Sequence, residues 1–186
     1  MNGIPNGVKA ETLDNLEFEA GLVLKEKYTS GMTKEALKAI VLCATTGGIR
    51  VNISAVSRNI AFDGLMENTA GTQYRMGYTG STQFTTKEVD AEKVKLAIGY
   101  ATENAGVITF GQGIVPLAEY KDIYILGKMG NGSWRQICME KTMNTVGLQE
   151  TRNDKGETEI SFDLQANYGI DTQDEPPIKI EYISVG

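Results

Sequence analysis

The chain has 186 residues, of which 41% are hydrophobic and 23% are charged, and it contains 21 glycines and 4 prolines. This composition suits a single globular domain with many turns and excludes a largely disordered chain. The formal net charge of −6 argues against a surface that grips phosphate, because affinity for nucleic acids depends mainly on lysine and arginine. We therefore expect no tight binding of DNA.

Membrane, export and disulfide signals are missing from the pattern of the sequence. No apolar run approaches the roughly 18–20 residues that cross a bilayer, and the first residues lack the basic-then-apolar plan of a signal peptide. Cys43 and Cys138 are far apart and form no CxxC metal motif, which favours two buried, reduced thiols. We expect a protein that is made in the cytoplasm and does not contact a membrane.

The N-terminal half predicts an arm, two strands and a short helix. Residues 1–12 are polar and Gly-rich, which is typical of a loose arm, and residues 16–24 begin with the alternation of a strand. Thr33 suits the N-cap of a short helix with an apolar face. The residues of that face are Leu37, Ile40, Val41 and Ala44. Residues 49–56 alternate again and predict the second strand.

The middle of the chain predicts a long loop, a strand and the clearest helix. Residues 58–77 read as a long connection, and residues 78–85 as a strand with one polar face. Asp90 can cap a helix whose apolar stripe runs from Ala91 to Ala101, and so narrow a stripe packs against one surface only.

The C-terminal half predicts two hairpins and a tail. Residues 129–133 are a turn between strands, and residues 153–156 are another. Residues 178–185 alternate and suit an edge strand. The sum is a mainly β fold, a two-sheet sandwich or barrel with one flanking helix. We assign residues 13–170 to this domain and residues 171–186 to a C-terminal arm.

The sequence lacks the residues that most catalytic mechanisms require. The sequence has no histidine, which removes the commonest general base and metal ligand. It also has no Ser-x-x-Lys, nucleophile elbow or P-loop. We expect neither enzymatic activity nor a cofactor or metal. A paired-carboxylate hydrolase remains open, but Asp171, Asp174 and Glu175 lie in a polar tail that suits a solvated charge run.

Six segments, in their order and spacing, resemble those of a known protein family. They are residues 16–21 (LEFEAG), 45–48 (TTGG), 59–64 (NIAFDG), 95–99 (KLAIG), 123–134 and 159–166 (EISFDLQA). In this order the chain resembles the major tail tube proteins of long, non-contractile bacteriophage tails, over roughly residues 12–170.

The resemblance implies a structural role in a virion tail that is assembled in the bacterial host cytoplasm. Six subunits would form a ring, and stacked rings would form a tube through which double-stranded DNA passes without specific binding. One sheet of each subunit would join an inner barrel, while the long loop and the arms reach adjacent subunits or rings. Tape measure, terminator and tail tip proteins would be the other partners.

The resemblance leads to two sets of candidate residues, one on the inner barrel and one in the long loop. A lumen strand alternates between core and water, so we expect a set of polar residues to face the channel. These are Arg50, Asn52, Ser54, Ser81, Gln83, Glu159, Ser161, Asp163 and Gln165. The long loop is too apolar for a plain solvent loop, so we expect it to contact other subunits. Its contact residues are Phe62, Asp63, Leu65, Met66, Tyr74 and Met76.

Alternatives from other classes stay open at this stage. Contractile tail tubes, tail-like bacteriocins and type VI secretion tubes share the implied architecture. A β-sandwich module that binds carbohydrate or a host receptor would instead need an exposed aromatic platform. Trp134 beside a Gly-rich turn is the candidate for that platform, although a core or interface anchor is the usual role of such a residue.

Overall fold

The computed structural model describes residues 10–66, 69–152, 154 and 156–184. Residues 1–9 of the predicted arm, residues 67–68 of the predicted loop, residues 153 and 155 of a predicted turn, and residues 185–186 lie outside the described part. The division of the chain into arms and domain stays a prediction.

The described residues form a mainly β structure, which confirms the predicted fold class. The strands are β1 Glu17–Leu24, β2 Val41–Cys43, β3 Thr45–Asn59, β4 Gln73–Thr86, β5 Ala101–Asn104, β6 Val107–Phe110, β7 Lys121–Met129, β8 Trp134–Asn144, β9 Gln149–Thr151, β10 Glu159–Gln165 and β11 Ile178–Ile183. The helices are α1 Lys34–Ile40 and α2 Ala91–Ile98, and short 3-10 turns cover Ala10–Thr12 and Leu117–Glu119.

The strands hydrogen-bond as one antiparallel sheet of nine strands and a separate β5–β6 hairpin. The large sheet divides into two layers at β8. The first layer runs β2-β1-β7-β8-β11, and the second runs β3-β4-β10-β9. Only the last residues of β8 pair with β10 (Asn144 with Leu164, Met143 with Gln165). Strand β8 therefore joins the two layers of the sandwich.

The core lies between the layers because both sets of strands alternate. On β10, Ile160, Phe162 and Leu164 are buried, and the Phe162 ring stacks on Phe84 of β4 with centroids 4.8 Å apart. From the first layer, Val23 and Ile123 join the same cluster. Period-2 alternation thus places one face of each layer in this core. The outer face of the second layer is open to water, whereas the outer face of the first layer buries Leu24 and Leu126 in a separate cluster.

Helix α2 closes this core, as its narrow stripe predicts. The Asp90 side chain accepts a hydrogen bond from Lys93 N at the N-terminus, and Gly99 caps the C-terminus with φ of 89°. This left-handed conformation suits glycine and ends the helix, so Ala101 begins β5 instead of extending the helix. Ala97 is fully buried among the core residues.

Helix α1 and the β5–β6 hairpin differ from the sequence predictions. Thr33 caps α1 as predicted, but the helix ends at Ile40, because Val41 pairs with Leu24 and extends the edge of β1. The β5–β6 hairpin was not predicted. Its turn uses Ala105 and Gly106 with φ of 48° and 79°, and an Ala-Gly pair lacks the usual sequence signal of such a turn.

The predicted edge strand in the tail is present as β11, which pairs with β8 from Ile178 to Ile183. Neither α-helix in the described part of the chain is long and apolar enough to span a bilayer.

Asn144 holds the junction between the layers and α2. Its amide nitrogen donates to the carbonyls of Ala97 and Gly147, and its amide oxygen accepts from the backbone N–H of Asp163. We expect Asn144→Ala to lower the free energy of unfolding by about 1–3 kcal/mol, because buried polar partners lose their hydrogen bonds. Urea denaturation measures this. The exposed Asn52→Ala is the matched control, with an expected change within about 0.5 kcal/mol, and equal effects of the two variants would contradict the assignment.

Candidate functional site

The sequence-predicted channel residues lie on one face of the second layer, opposite the core. Cross-strand pairing aligns them in rows across β3, β4 and β10. The rows are Arg50–Gln83–Asp163 and Asn52–Ser81–Gln165, with Ser54 opposite Thr79 and Ser161 opposite Thr85. Glu159 follows the same alternation at the start of β10. We call this surface the polar face; whether it lines a channel stays a prediction.

Thr79 and Thr85 belong to the polar face; the sequence places them on the polar side of their strand, but the predicted channel set omitted them. They follow the same period-2 alternation on β4 as Ser81 and Gln83, so the alternation itself was the signal that locates them. Their hydroxyl groups keep the face polar along the length of the strand.

Hydrogen bonds between strands organise the polar face. Gln83 Nε2 donates to Asp163 Oδ2 at 2.8 Å, and the hydroxyls of Thr85 and Ser161 lie 3.3 Å apart. Two concavities of about 630 and 260 Å³ lie along this face, and both include Asp163 in their lining. The surface is therefore open to water, and most of its side chains carry amide, hydroxyl or carboxylate groups.

The charge on the polar face is slightly acidic. Among the predicted channel residues, Arg50 carries a positive charge, whereas Asp163 and Glu159 carry negative charges. At the end of the strands, Lys87 Nζ lies 2.9 Å from Glu157 Oε2. This hydrogen bond raises the pKa of Lys87 and lowers the pKa of Glu157. Such an arrangement offers a polyanion few cations that are free to bind it.

The second site is a hairpin that projects beyond the sandwich. Strand β10 pairs with β4 only from Ser81 to Thr86, so the outer parts of β3 and β4 pair with each other alone in the described ladders. We call residues 56–78 the projecting hairpin. It exposes a set of large apolar side chains. These are Val56, Ile60, Phe62, Leu65, Met66, Tyr74, Met76 and Tyr78.

The predicted loop is shorter than the sequence suggested. Strand β3 continues to Asn59 and β4 starts at Gln73, so the connection covers residues 60–72 instead of 58–77. Tyr74 and Met76 therefore lie on β4, whereas Phe62, Asp63, Leu65 and Met66 lie in the connection. A register shift between Val56 and Ser57 breaks the alternation by which the strands were recognised.

Two arginines lie along the projecting hairpin. The Arg58 guanidinium is 5.5 Å from the centroid of the Tyr74 ring, and Arg75 is 5.5 Å from that of Tyr78. Neither arginine forms an ion pair among the described residues. The hairpin thus combines exposed apolar groups with cationic ones.

The other candidate residues fit structural roles. Trp134 packs against Tyr28, with ring centroids 5.6 Å apart, and joins a cluster on the outer side of the first layer. Asp171, Asp174 and Glu175 are exposed, as predicted. Cys43 and Cys138 are buried free thiols. Burial raises the pKa of each thiol to about 11, so neither is a ready nucleophile.

Among the described residues, two carboxyl groups have clearly shifted pKa values, and both shifts are downward. Burial by itself would raise the pKa of Asp90, but hydrogen bonds from Lys93 lower it. The hydrogen bond from Lys87 lowers the pKa of Glu157. A glycosidase general acid needs a raised pKa, so neither group suits that role. In the described part of the chain, no group of three or more Cys, Asp or Glu residues is placed to hold a metal ion.

No protein-family model matches the sequence, and no curated protein matches it. Among solved structures, the chain is similar to a chain in the virion of a native gene transfer agent particle and to one in the tail of an empty particle of this kind, computed with C6 symmetry. Each alignment has a TM-score of 0.45 at 10% identity and covers 89% of this chain and 96% of the other. At this level of similarity the comparison assigns no function to the chain.

Proposed function

We propose that the chain is a structural subunit of a phage-like tail tube, in which stacked rings of six subunits form a conduit for DNA. The role is structural and requires no catalytic group or cofactor. The observation that carries the proposal is the polar face, where three adjacent strands are polar on one side and bury the core on the other.

The chemistry of the polar face suits the wall of a DNA channel. Its amides, hydroxyls and carboxylates offer phosphates no tight partner, so DNA can slide along it. Arg50 is the exception, and it lies beside Gln83, which itself bonds Asp163. A single cation among acidic groups adds little phosphate affinity.

The edges of the second layer supply the reason for assembly. Strand β3 is the edge strand of this layer. It pairs with β4 on one side, and its other side has no partner strand among the described residues. A long unpaired edge invites pairing with another chain. Lateral joining of second layers into a ring would satisfy this edge and bring the polar faces together around a lumen.

The projecting hairpin supplies contacts beyond a single ring. Its apolar side chains are too exposed for a monomer that functions alone. We propose that Phe62, Asp63, Leu65, Met66, Tyr74 and Met76 contact adjacent subunits or rings. Tape measure, terminator and tail tip proteins are the proposed further partners in a virion tail assembled in the host cytoplasm.

Concentrated protein should form rings or tubes. We expect light scattering to rise on incubation at millimolar concentration and negative-stain microscopy to reveal hollow particles, because mass action favours edge pairing and hairpin contacts at high concentration. The same preparation at micromolar concentration is the control for pre-existing aggregates. A species that stays strictly monomeric after prolonged incubation at the high concentration counts against the proposal.

A further inference from the structure

The projecting hairpin leaves the sandwich at a β-bulge on β4. Val56 of β3 pairs with Gly77. The next pair of the ladder joins Ser57 to Arg75, so Met76 is an extra residue of β4 between the two pairs. A bulge bends its strand and increases the local twist. The direction in which the hairpin leaves the sandwich therefore depends on the conformation at Met76.

Next to the bulge, a tyrosine hydroxyl occupies the side of β4 that β10 no longer covers. Just beyond the end of β10, Ala166 N donates a hydrogen bond to Gly80 O at 2.9 Å. Tyr78 lies two residues away on β4, so its N–H faces the same side of the strand. The hydroxyl oxygen of Tyr168 accepts a hydrogen bond from this N–H at 2.7 Å. The phenol thus satisfies a backbone donor for which β10 supplies no partner.

Gly77 makes room for this phenol. A Cβ atom at position 77 would lie 2.5 Å from the Tyr168 hydroxyl oxygen and 3.3 Å from the ring carbon that carries it. The shorter distance is well below ordinary van der Waals contact, so a larger residue at position 77 would push the hydroxyl away from Tyr78 N. Gly77 and Tyr168 therefore fit together as a pair at the bulge.

The segment that carries Tyr168 is fixed to β8. Asn167 N donates to Glu140 O at 3.2 Å, and Asn167 Nδ2 donates to Lys141 O at 2.8 Å. The same amide nitrogen donates to Gln165 O at 2.9 Å. Because β8 joins the two layers, Tyr168 connects the base of the projecting hairpin to the body of the sandwich.

We propose that Tyr168 is a positioning residue that sets the angle of the projecting hairpin, with the bulge at Met76 as the hinge. While the hydroxyl is bonded to Tyr78 N, the bulge keeps one conformation and the hairpin leaves the sandwich in one direction. A binding partner then meets an oriented hairpin, which lowers the ordering cost of binding. The angle is set within the isolated subunit, so this device goes beyond the proposed function and does not depend on rings or tubes.

Residue-resolved amide hydrogen exchange on the dilute subunit tests the hydrogen bond. Tyr168→Phe keeps the ring and removes only the hydroxyl. We expect the Tyr78 amide to exchange about fivefold faster in this variant, because one modest hydrogen bond is lost. The Phe84 amide, on β4 between two paired strands, is the internal reference and should not change. Tyr182→Phe is the matched control, since it removes the same group from a side chain that is 68% exposed on β11.

The distance between two spin labels tests the angle itself. One label is attached at Gln73→Cys, at the outer end of β4, and the other at Ile114→Cys, where the native side chain is 95% exposed on the body of the subunit. The two native thiols are buried and do not take up the label. We expect the distance distribution to broaden in Tyr168→Phe and to stay narrow in Tyr182→Phe, because only the first variant frees the hinge.

Only both changes together, with the Phe84 amide unaffected, support the proposal. Faster exchange at Tyr78 with an unchanged distance distribution overturns it, because the hydroxyl would then satisfy a backbone donor without setting the angle. Unchanged exchange at Tyr78 overturns it as well, and so does equally faster exchange at Phe84, which would mean a general loss of stability. Neither measurement requires assembly, so a negative result leaves the proposed function standing, and a failure to form tubes leaves the hinge standing.

Discussion

Replacing residues 61–71 with an Asn-Gly turn should abolish tube formation while the subunit stays folded and soluble. The ends of this segment already meet, because Ile60 N donates to Thr72 O at 2.8 Å. A two-residue Asn-Gly turn therefore closes the hairpin without disturbing the strand register. The replacement removes Phe62, Leu65 and Met66, which carry the proposed contact with another subunit.

The free energy of unfolding should change by no more than about 1 kcal/mol, because shortening a surface loop alters mainly its closure entropy. Urea denaturation and circular dichroism check the fold, and microscopy with light scattering checks assembly. The single variant Met66→Ser should weaken assembly, whereas Val89→Ser, an exposed apolar position outside the hairpin, is the matched control. Normal tubes from the shortened chain would remove the hairpin from the assembly.

The polar face could be predicted from the sequence because simple alternation governs it. Residues 49–55, 78–85 and 159–166 alternate between apolar and polar side chains, and pairing of β3, β4 and β10 brings their polar sides together. In such strands, the side-chain period of two decides which residues share a face. Pairing order was not needed to choose the residues, only to align them.

The full length of the hairpin strands could not be predicted in the same way. The register shift between Val56 and Ser57 inverts the alternation partway along the ladder, so the outer residues read as a loop. Tyr74 and Met76 were assigned to that loop although they lie on β4. Their apolar character, which was the reason to single them out, is unaffected by this correction, and both are exposed in the structure.

A groove of about 480 Å³ between α2, β5 and the start of β7 has no local signal in the sequence. Leu42, Leu96, Ala101 and Ile123 come from four elements that are distant in sequence, and only tertiary packing brings them together. The β5–β6 hairpin beside it was also missed, because Ala105 occupies a left-handed position that Asn or Gly usually fills. Sequence patterns identify faces of single strands or helices, whereas a groove between elements requires their arrangement.

Changing Glu159 and Asp163 to lysine should leave tails of normal length but slow or block the passage of DNA. Both residues belong to the predicted channel set. Asp163 accepts a hydrogen bond from Gln83 at 2.8 Å, so its replacement costs the fold about 1 kcal/mol, which a wet surface tolerates. In a ring, each substitution places one lysine per subunit around the lumen. These cations would bind phosphates and retard a polyanion that the native wall leaves free.

The matched controls are Glu159→Gln with Asp163→Asn, which remove the same charges without adding cations. We expect these controls to deliver DNA normally, because amides resemble the Gln, Asn, Ser and Thr side chains already on the face. Infectivity and DNA release measure passage, and microscopy measures tail length. Normal tails with undiminished DNA release from the lysine variant would contradict the electrostatic argument. Loss of tails in the lysine variant and in the neutral control would instead mean that these side chains lie in a subunit contact and not on the channel wall, because a wet surface tolerates the loss of charge whereas a packed interface does not.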